Sequence, residues 1–215
     1  MDAKKKKNAI KIIIVVILII ALVFIGYLIF EKLQENRFKK MLQENDSNNY
    51  KLTEIVNGVE TEVYVRDKVL FLKNGDTRTW VNEFESRRII FDEEYKTAIV
   101  DEKDENLKVN SLNYTYINDF FDNSDQSFSY LGEEDGYYKI QFKEKGSKKI
   151  TLLYINKDTK DVDKMIQDAG NFEFVTEFKI EKNTVSKEDI ELPDLEGYRA
   201  YESSSSNWEE KQIGI

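Results

Sequence analysis

Hydrophobic residues follow two different patterns along this chain. Residues 12–30 form an unbroken run of nineteen apolar or near-apolar residues, and five lysines precede it within the first eleven positions. A helix of that length is roughly 28 Å long, which is close to the hydrocarbon thickness of a bilayer. The run therefore predicts one transmembrane helix over residues 12–30.

The sequence indicates that this helix is retained as a signal anchor. Its apolar core exceeds the roughly 7–15 residues of a cleaved signal peptide, and no small-residue cleavage site follows it. The chain has no Cys, which excludes a lipidated cysteine. The excess of lysine before the run predicts a cytoplasmic basic stub at residues 1–11. We therefore expect a single-pass protein of the cell membrane whose C-terminal domain is extracytoplasmic.

Residues 31–45 predict a juxtamembrane helix that continues the anchor. This segment has no Gly or Pro, and Leu33, Phe38, Met41 and Leu42 lie among charged residues at spacings that partly fit one helical face. The polar cluster at residues 45–49 supplies side chains that compete for backbone hydrogen bonds, which ends helices. The folded domain is expected to cover residues 50–201.

From residue 59 onward, short runs rich in β-branched and aromatic residues alternate with polar turns, which predicts strands. Asn74-Gly75 indicates a tight hairpin, so neighbouring strands should be antiparallel. Residues 106–126 interrupt the pattern and predict a helical or irregular crossing segment that covers one end of the sheet. Strands are predicted at residues 60–66, 69–73, 77–82, 88–92, 96–101, 136–143, 149–156, 162–168 and 171–181.

Nine or so antiparallel strands in one domain favour a mainly β fold with helices, in the α+β class. The expected architecture is an incomplete, strongly curved antiparallel β-barrel with covering helices, preceded by the transmembrane helix. In the last predicted strand, apolar residues alternate with polar ones, so that one face should meet a core. The serine-rich residues 202–215 predict a disordered tail.

Charge and composition narrow the functional classes. Five of the 32 basic residues and one of the 41 acidic residues lie within residues 1–30, so the rest of the chain has a net charge of −13. Such a domain repels nucleic acid and anionic head groups, so we expect no nucleic-acid partner and no broad basic patch that binds either of them. Without Cys, an exported domain has no disulfides and depends on an ordinary hydrophobic core.

The residues also argue against catalysis. The chain has neither His nor Cys, which excludes zinc sites, Ser-His-Asp triads and Cys-His pairs. The acidic clusters at residues 101–105 and 122–125 lack the glycine and the closing glutamate of an EF-hand loop, so they are interpreted as solvated turns. We expect no enzyme, no cofactor and no metal site.

Apolar residues on both faces of some strands suggest a cavity. In residues 69–72 and 88–91, both faces of the strand need cover, and one of them could line an apolar pocket. These residues are either plain core or contacts to a ligand. The candidates for cavity lining are Phe71, Trp80, Ile89, Phe91, Leu152, Tyr154, Phe174 and Phe178.

Three segments of the chain resemble LolA-like lipoprotein carriers and their Gram-positive relatives. The succession of short strands over residues 61–102 follows the order of the first half of that family. The segment ITLLYINKDTKDVDKMI (residues 150–166) resembles a family hairpin, with Ile155, Lys157 and Thr159 matching, and residues 177–198 resemble its closing segment. Lys160 and Val162 stand where the family usually has Gly and Pro.

The resemblance implies a β half-barrel with helices in an open apolar mouth, where carriers of this type shelter acyl chains. Related branches sense mislocalised lipoproteins or, as clostridial germination lipoproteins, are partners of a cell-wall amidase. A permanently anchored protein cannot shuttle between two membranes. The first hypothesis is therefore a membrane-anchored module that holds a lipid, lipopeptide or other apolar envelope ligand.

The alternative hypothesis is a protein-interaction or sensor module that docks an envelope enzyme or receptor. The two hypotheses differ in what they require of the apolar mouth. An open mouth favours the ligand, and a mouth filled by the crossing segment favours a protein partner.

Overall fold

A computed structural model describes residues 3–102, 104–170, 172–202 and 210–211. Helix α1 (Ala3–Glu44) runs without interruption through the apolar run and the predicted juxtamembrane helix. It has the length and composition of a membrane span, which a signal sequence near the N-terminus can also have. The side chains of residues 12–30 are almost all exposed, as expected of a segment that requires an apolar environment.

The rest of the fold is one β-sheet with three short helical turns. A helical turn (α2, Tyr114–Tyr116) leads into a π turn (Ile117–Phe121), and a 3₁₀ turn covers Glu188–Ile190. The strands are β1 (Asn49–Val56), β2 (Val59–Arg66), β3 (Val69–Asn74), β4 (Thr77–Asn82), β5 (Arg87–Asp92), β6 (Thr97–Glu102), β7 (Gln126–Glu134), β8 (Tyr137–Glu144), β9 (Ile150–Asn156), β10 (Val162–Asp168), β11 (Glu173–Lys182), β12 (Arg199–Glu202) and β13 (Glu210–Lys211).

The strand order is β13-β12-β6-β5-β4-β3-β2-β1-β11-β10-β9-β8-β7. Two antiparallel meanders, β1 to β6 and β7 to β11, are joined through the pairing of β1 with β11. The sheet is mixed, because β12 runs parallel to β6. This pairing corrects the expectation of a purely antiparallel sheet.

The predicted mainly β class is confirmed, but the predicted strong curvature is wrong. The sheet is neither closed nor strongly curled. A half-barrel wraps one concave face around one core, whereas this sheet has buried clusters on both faces. In strands β1 to β3, Tyr50 and Val65 pack with Leu112 on one face, and Phe71 belongs to a cluster on the other. Packing on both faces does not favour bending in a single direction.

The register of the strands shows these two faces. Tyr64, Phe71, Trp80 and Ile89 are direct cross-strand neighbours and therefore point to the same side. Lys51 pairs with Tyr64 on this side, so the next residue, Leu52, points to the other side. We call the first side the strap face and the second the helix face.

The helix face carries the larger core. The end of α1 packs there through Phe38 and Leu42, whose side chains have no solvent exposure. The crossing segment, residues 106–125, adds Tyr116 and Phe121. This covering by a short helical segment agrees with the prediction for residues 106–126. The sheet contributes Ile140, Phe142, Leu153, Ile155, Val162 and Phe178 to this core.

Polar contacts fix the end of α1 against the sheet. The side chain of Asn113 donates a hydrogen bond to the backbone oxygen of Leu42 at 2.9 Å, and Lys182 Nζ donates to the backbone oxygen of Asn45 at 2.8 Å. Lys182 also pairs with Asp161 at 2.6 Å. These donors satisfy carbonyl groups that a helix leaves unpaired at its C-terminus.

The strap face is covered by the chain that follows β11. Residues 185–198, which we call the strap, cross this face between β11 and β12. Leu195 is buried there, and Ile190, Leu192 and Tyr198 are partly buried. They pack on a second core formed by Phe71, Trp80, Ile89, Phe91, Ala98, Val100 and Ala200.

The predicted tail at residues 202–215 lies for the most part outside the described residues. Glu210–Lys211 form β13, which pairs with β12. The predicted stub at residues 1–11 is helical from Ala3.

Candidate functional site

The strap is held to the sheet at its two ends and in its middle. At its start, the Asn49 side-chain amide exchanges two hydrogen bonds with the backbone of Val185, at 3.0 and 3.1 Å. In its middle, Trp80 Nε1 donates to the backbone oxygen of Ile190 at 2.9 Å. At its end, Tyr198 makes an edge-to-face contact with Phe91, with 5.9 Å between the ring centroids. The strap is therefore an ordered part of the fold.

A local motif shapes the first turn of the strap. The backbone N–H of Ser186 donates to Asp189 Oδ2 at 2.7 Å, and the backbone N–H of Asp189 donates to Ser186 Oγ at 3.3 Å. This reciprocal pair is the capping box that starts a helical turn. The hydrogen bond from the Ser186 backbone lowers the pKa of Asp189. Asp189 therefore keeps its negative charge at the rim of the strap.

A groove of about 860 Å³ lies beside the strap. This volume falls within the roughly 300–1,000 Å³ that small-molecule sites occupy. Its lining combines an apolar floor with charged residues. The lining residues are Tyr64, Phe71, Lys73 and Arg87 from the sheet, and Glu188, Asp189, Glu191, Leu192, Pro193, Asp194 and Leu195 from the strap.

Two cations from the sheet line this groove. Lys73 Nζ lies 4.7 Å from the ring centroid of Tyr64 and 5.7 Å from that of Phe71, within the range of cation–π contacts. The Nε atom of Arg87 is buried and has no hydrogen-bond partner among the described residues. The guanidinium group of Arg87 lies 4.0 Å from Glu102 Oε1 on the neighbouring strand β6. The strap adds four carboxylates to the lining, from Glu188, Asp189, Glu191 and Asp194. The groove thus offers apolar surface bordered by charged groups of both signs.

A second cavity, of about 550 Å³, lies where the strap crosses Trp80. It is lined by Val69, Trp80 and Asn82 of the sheet and by Ile190 and Leu192 of the strap, among others. Leu192 lines both cavities. The strap therefore separates two adjoining hollows on one face of the sheet.

The eight predicted lining residues lie in three parts of the fold, and the first part is the strap-covered half of the sheet. Phe71 lines the groove, Trp80 lines the second cavity, and Ile89 and Phe91 lie in the core between the strap and the sheet. These four share one face, as a single site would require. The sequence did not predict the strap residues or the two cations.

Leu152 and Tyr154 lie on the strap face but in the other half of the sheet, which the strap does not reach. Their cross-strand neighbours show this position, because Leu152 pairs with Ile166 and Tyr154 pairs with Lys164. Lys139 and Lys164 approach the Tyr154 ring at 5.2 and 5.5 Å. The side chains of Lys139, Tyr154 and Lys164 contribute to a separate cavity of about 620 Å³.

Phe174 and Phe178 point to the helix face. Phe178 is core, with its ring centroid 5.9 Å from that of Tyr116 in an edge-to-face contact. Phe174 lies beyond that core and is 48% exposed. Phe178 also borders the cavity of about 620 Å³ that Tyr154 lines. The eight residues therefore lie on both faces of the sheet.

Side chains of the chain itself occupy the helix face. The ring of Phe38 of α1 contacts the rings of Tyr130 and Tyr138 with centroid distances of 5.3 and 5.4 Å, and Phe121 contacts Phe142 at 4.9 Å. Burial raises the pKa of Tyr116 and of Glu54 on this face. The apolar mouth expected on this face is filled by α1 and the crossing segment.

Comparisons with known proteins assign no family. No family model matches the chain, and no curated protein matches it. The resemblance to LolA-like carriers therefore remains a prediction from strand order and the quoted segments.

Proposed function

We propose that the chain is a membrane-anchored extracytoplasmic module that binds a lipid, lipopeptide or other apolar envelope ligand in the groove beside the strap. The observation that carries this proposal is the groove of about 860 Å³, which joins the apolar surface of Tyr64, Phe71 and Leu192 to charged side chains of both signs. An amphiphile has the matching chemistry, with an apolar chain and a polar head.

The anchoring part of the proposal is supported by α1. Residues 12–30 are apolar and exposed, and the helix continues into the core of the domain. The lysines before the span favour a cytoplasmic N-terminus. A module of this kind captures ligands at one membrane surface and does not carry them across the envelope.

We also propose a distant relation to LolA-like carriers, which rests on two features. The strand succession follows the order of the resemblance, and a helix with a crossing segment covers one face of the sheet. Under this proposal the ligand site lies on the opposite face, because the helix face is already occupied.

Photo-crosslinking tests the ligand proposal with the full chain in nanodiscs. The probe is a palmitic acid analogue that carries a diazirine, and the crosslinked peptides are identified by mass spectrometry. We expect crosslinks in β3 and in the strap, in addition to those that membrane-dissolved probe makes with residues 12–30. Crosslinks confined to residues 12–30 would contradict the ligand proposal.

Two matched variants locate the site. Leu192→Arg places a charge in the groove and should abolish the crosslinks in β3 and the strap. Leu152→Arg makes the same change at another half-buried leucine on the same face, outside the groove, and should leave them intact. Equal losses in both variants would show that the crosslinking does not depend on the groove.

A second candidate function is docking of an envelope enzyme or receptor, including a cell-wall amidase as the germination-lipoprotein resemblance implies. The filled helix face favours it, because an occupied mouth leaves the outer surfaces of the domain for a protein. Affinity capture with the full chain tests this candidate. The anchor-proximal helix has to be kept, since Phe38 and Leu42 belong to the core. Failure to recover a reproducible partner from cell envelopes would count against it.

A further inference from the structure

Hydrogen bonds attach the sheet to α1 near the end of the apolar run. Glu31, the first residue after the apolar run, accepts a hydrogen bond from the backbone N–H of Tyr130 in β7, at 3.2 Å. Six residues beyond Glu31, Arg37 Nη2 donates to the Tyr138 hydroxyl in β8 at 3.4 Å. The edge of the sheet is thus attached to the helix where the apolar run ends.

These contacts fix the height of β7 relative to a membrane that α1 spans. Residue 31 lies only about 1.5 Å along the axis beyond the last apolar residue. The headgroup region extends roughly 5–7 Å beyond the hydrocarbon on each side. Tyr130 contacts Glu31 directly, and its neighbour Leu131 is about 3.4 Å further along the strand. The middle of β7 therefore falls within the headgroup region.

The exposed side chains around this junction include one apolar group and several paired charges. Leu131 is 48% exposed although it is apolar, and it lies on the outer edge strand of the sheet. Lys32 pairs with Glu35 at 2.8 Å. On β7, Glu133 pairs with Lys157 and Glu134 pairs with Lys139. An exposed apolar side chain on an edge strand favours aggregation in water, and lipid contact shields that side chain from water.

We propose that the β7 edge, through Leu131 and its neighbours, contacts the headgroup region of the same membrane that α1 spans. The partner is the lipid surface itself, because the helix that fixes the edge continues directly into the bilayer. The contact holds the domain in one orientation, with the strap half of the sheet directed away from the membrane. This inference rests on the anchoring in the proposed function but not on the ligand.

Single-cysteine spin labelling tests this contact, and the chain offers a clean background because it has no Cys. The full chain carrying Leu131→Cys is labelled with a nitroxide and placed in vesicles of phosphatidylcholine and phosphatidylglycerol. The control is Phe84→Cys, at another exposed residue, just after β4. β4 is eight strand positions from β7, roughly 38 Å at the usual strand spacing.

We expect the label at residue 131 to be several-fold less accessible to a water-soluble nickel chelate than the label at residue 84, and more accessible to oxygen. Equal nickel accessibility at the two sites would overturn the proposal. Shielding of residue 131 with dipolar broadening between labels would also overturn it, because a second copy of the chain would then cover the edge.

The mass of the purified chain separates this test from the anchoring proposal. A chain shortened by removal of its N-terminal helix would refute both the anchoring and the edge contact. An intact chain with a water-exposed residue 131 would refute the edge contact alone.

A pair of variants at Glu31 tests the attachment. Glu31→Gln keeps an oxygen that can accept from the Tyr130 N–H and should preserve the low nickel accessibility at residue 131. Glu31→Ala removes the acceptor and should raise both the accessibility and the mobility of the label. Identical behaviour of the two variants would show that Glu31 does not position the edge.

Discussion

The two halves of the sheet are covered by different means. Strands β8 to β11 pack on α1 and the crossing segment, and the core between them is rich in aromatic contacts. Strands β3 to β6 pack on the strap, a mostly irregular segment on the opposite face. Leu112 of the crossing segment also packs on Tyr50 and Val65 of β1 and β2, on the helix face. The two halves therefore differ in whether a segment covers the strap face.

The pKa values of ionisable groups differ between the helix face and the strap. On the helix face, burial raises the pKa of Glu54 in β1. On the strap, hydrogen bonds from the backbone lower the pKa of Glu188 and of Asp189. The strap half thus keeps charged groups at an open groove. This contrast favours the strap half as the place where a ligand can enter.

The largest expected loss of stability comes from removing a buried side chain in the helix-covered half. Phe38→Ala removes a fully buried ring and should lower the free energy of unfolding by about 3–5 kcal/mol. Chemical unfolding of the full chain in detergent, followed by near-UV circular dichroism, measures the change. Leu33→Ala, at a 63% exposed position of the same helix, is the control and should cost less than about 0.5 kcal/mol. A loss below about 1 kcal/mol for Phe38→Ala would contradict the packing of α1 as core.

A smaller and more local loss of stability is expected from a substitution in the strap half. Leu195→Ala leaves a cavity between the strap and the sheet and should cost about 2–4 kcal/mol. Hydrogen exchange should accelerate in β5, β6, β12 and the strap, while β8 to β11 remain protected. Leu152→Ala, on the uncovered part of the same face, should leave exchange in the strap unchanged. Uniform acceleration over the whole sheet would show that the halves do not respond separately.

The smallest effect is a gain in stability that depends on pH. Because burial raises the pKa of folded Glu54 above its unfolded value, the protonated form is favoured by folding and the carboxylate opposes it. Glu54→Gln should therefore stabilise the protein at pH 7, by less than about 1 kcal/mol, since part of the side chain remains hydrated.

The sign of the stability change caused by Glu54→Gln can be checked by varying the pH. The difference should shrink as the pH falls through the folded pKa and should vanish below the unfolded pKa of about 4.3. Thermal unfolding of both proteins from pH 4 to pH 8 measures it. Glu60→Gln, at an exposed position of the adjacent strand, is the control. A gain that persists unchanged at low pH would exclude Glu54 ionisation as its cause.

Local signals in the sequence predicted most strands within one or two residues, but four strands were missed: β1, β7, β12 and β13. β1 was missed although the Asn57-Gly58 turn after it has positive φ at both residues (51° and 80°), the geometry of a tight primed hairpin. The hairpin predicted at Asn74-Gly75 forms, but its two-residue turn is Gly75-Asp76, because Asn74 pairs with Thr77 as the last residue of β3. β7 was missed because its Ser and Gly residues weaken the strand pattern, and β12 because it has only four residues.

The candidate site was predictable only in part. Strong apolar patterning identified Phe71 and Trp80, which line the two cavities beside the strap. The same patterning gave equal weight to Leu152 and Phe178, which lie elsewhere. Period-two alternation assigns residues to two faces, but it does not say which face a distant segment will cover.

The sequence alone determined the apolar helix, the strand content and the absence of thiol and imidazole chemistry, because these depend on residue type and local spacing. The tertiary structure decided the rest through contacts between residues far apart in the chain. The hydrogen bond from Trp80 to Ile190 joins positions 110 residues apart, and the contact of Glu31 with Tyr130 joins positions 99 apart. Such contacts depend on how whole segments pack, so local periodicity does not encode the groove or the membrane-facing edge.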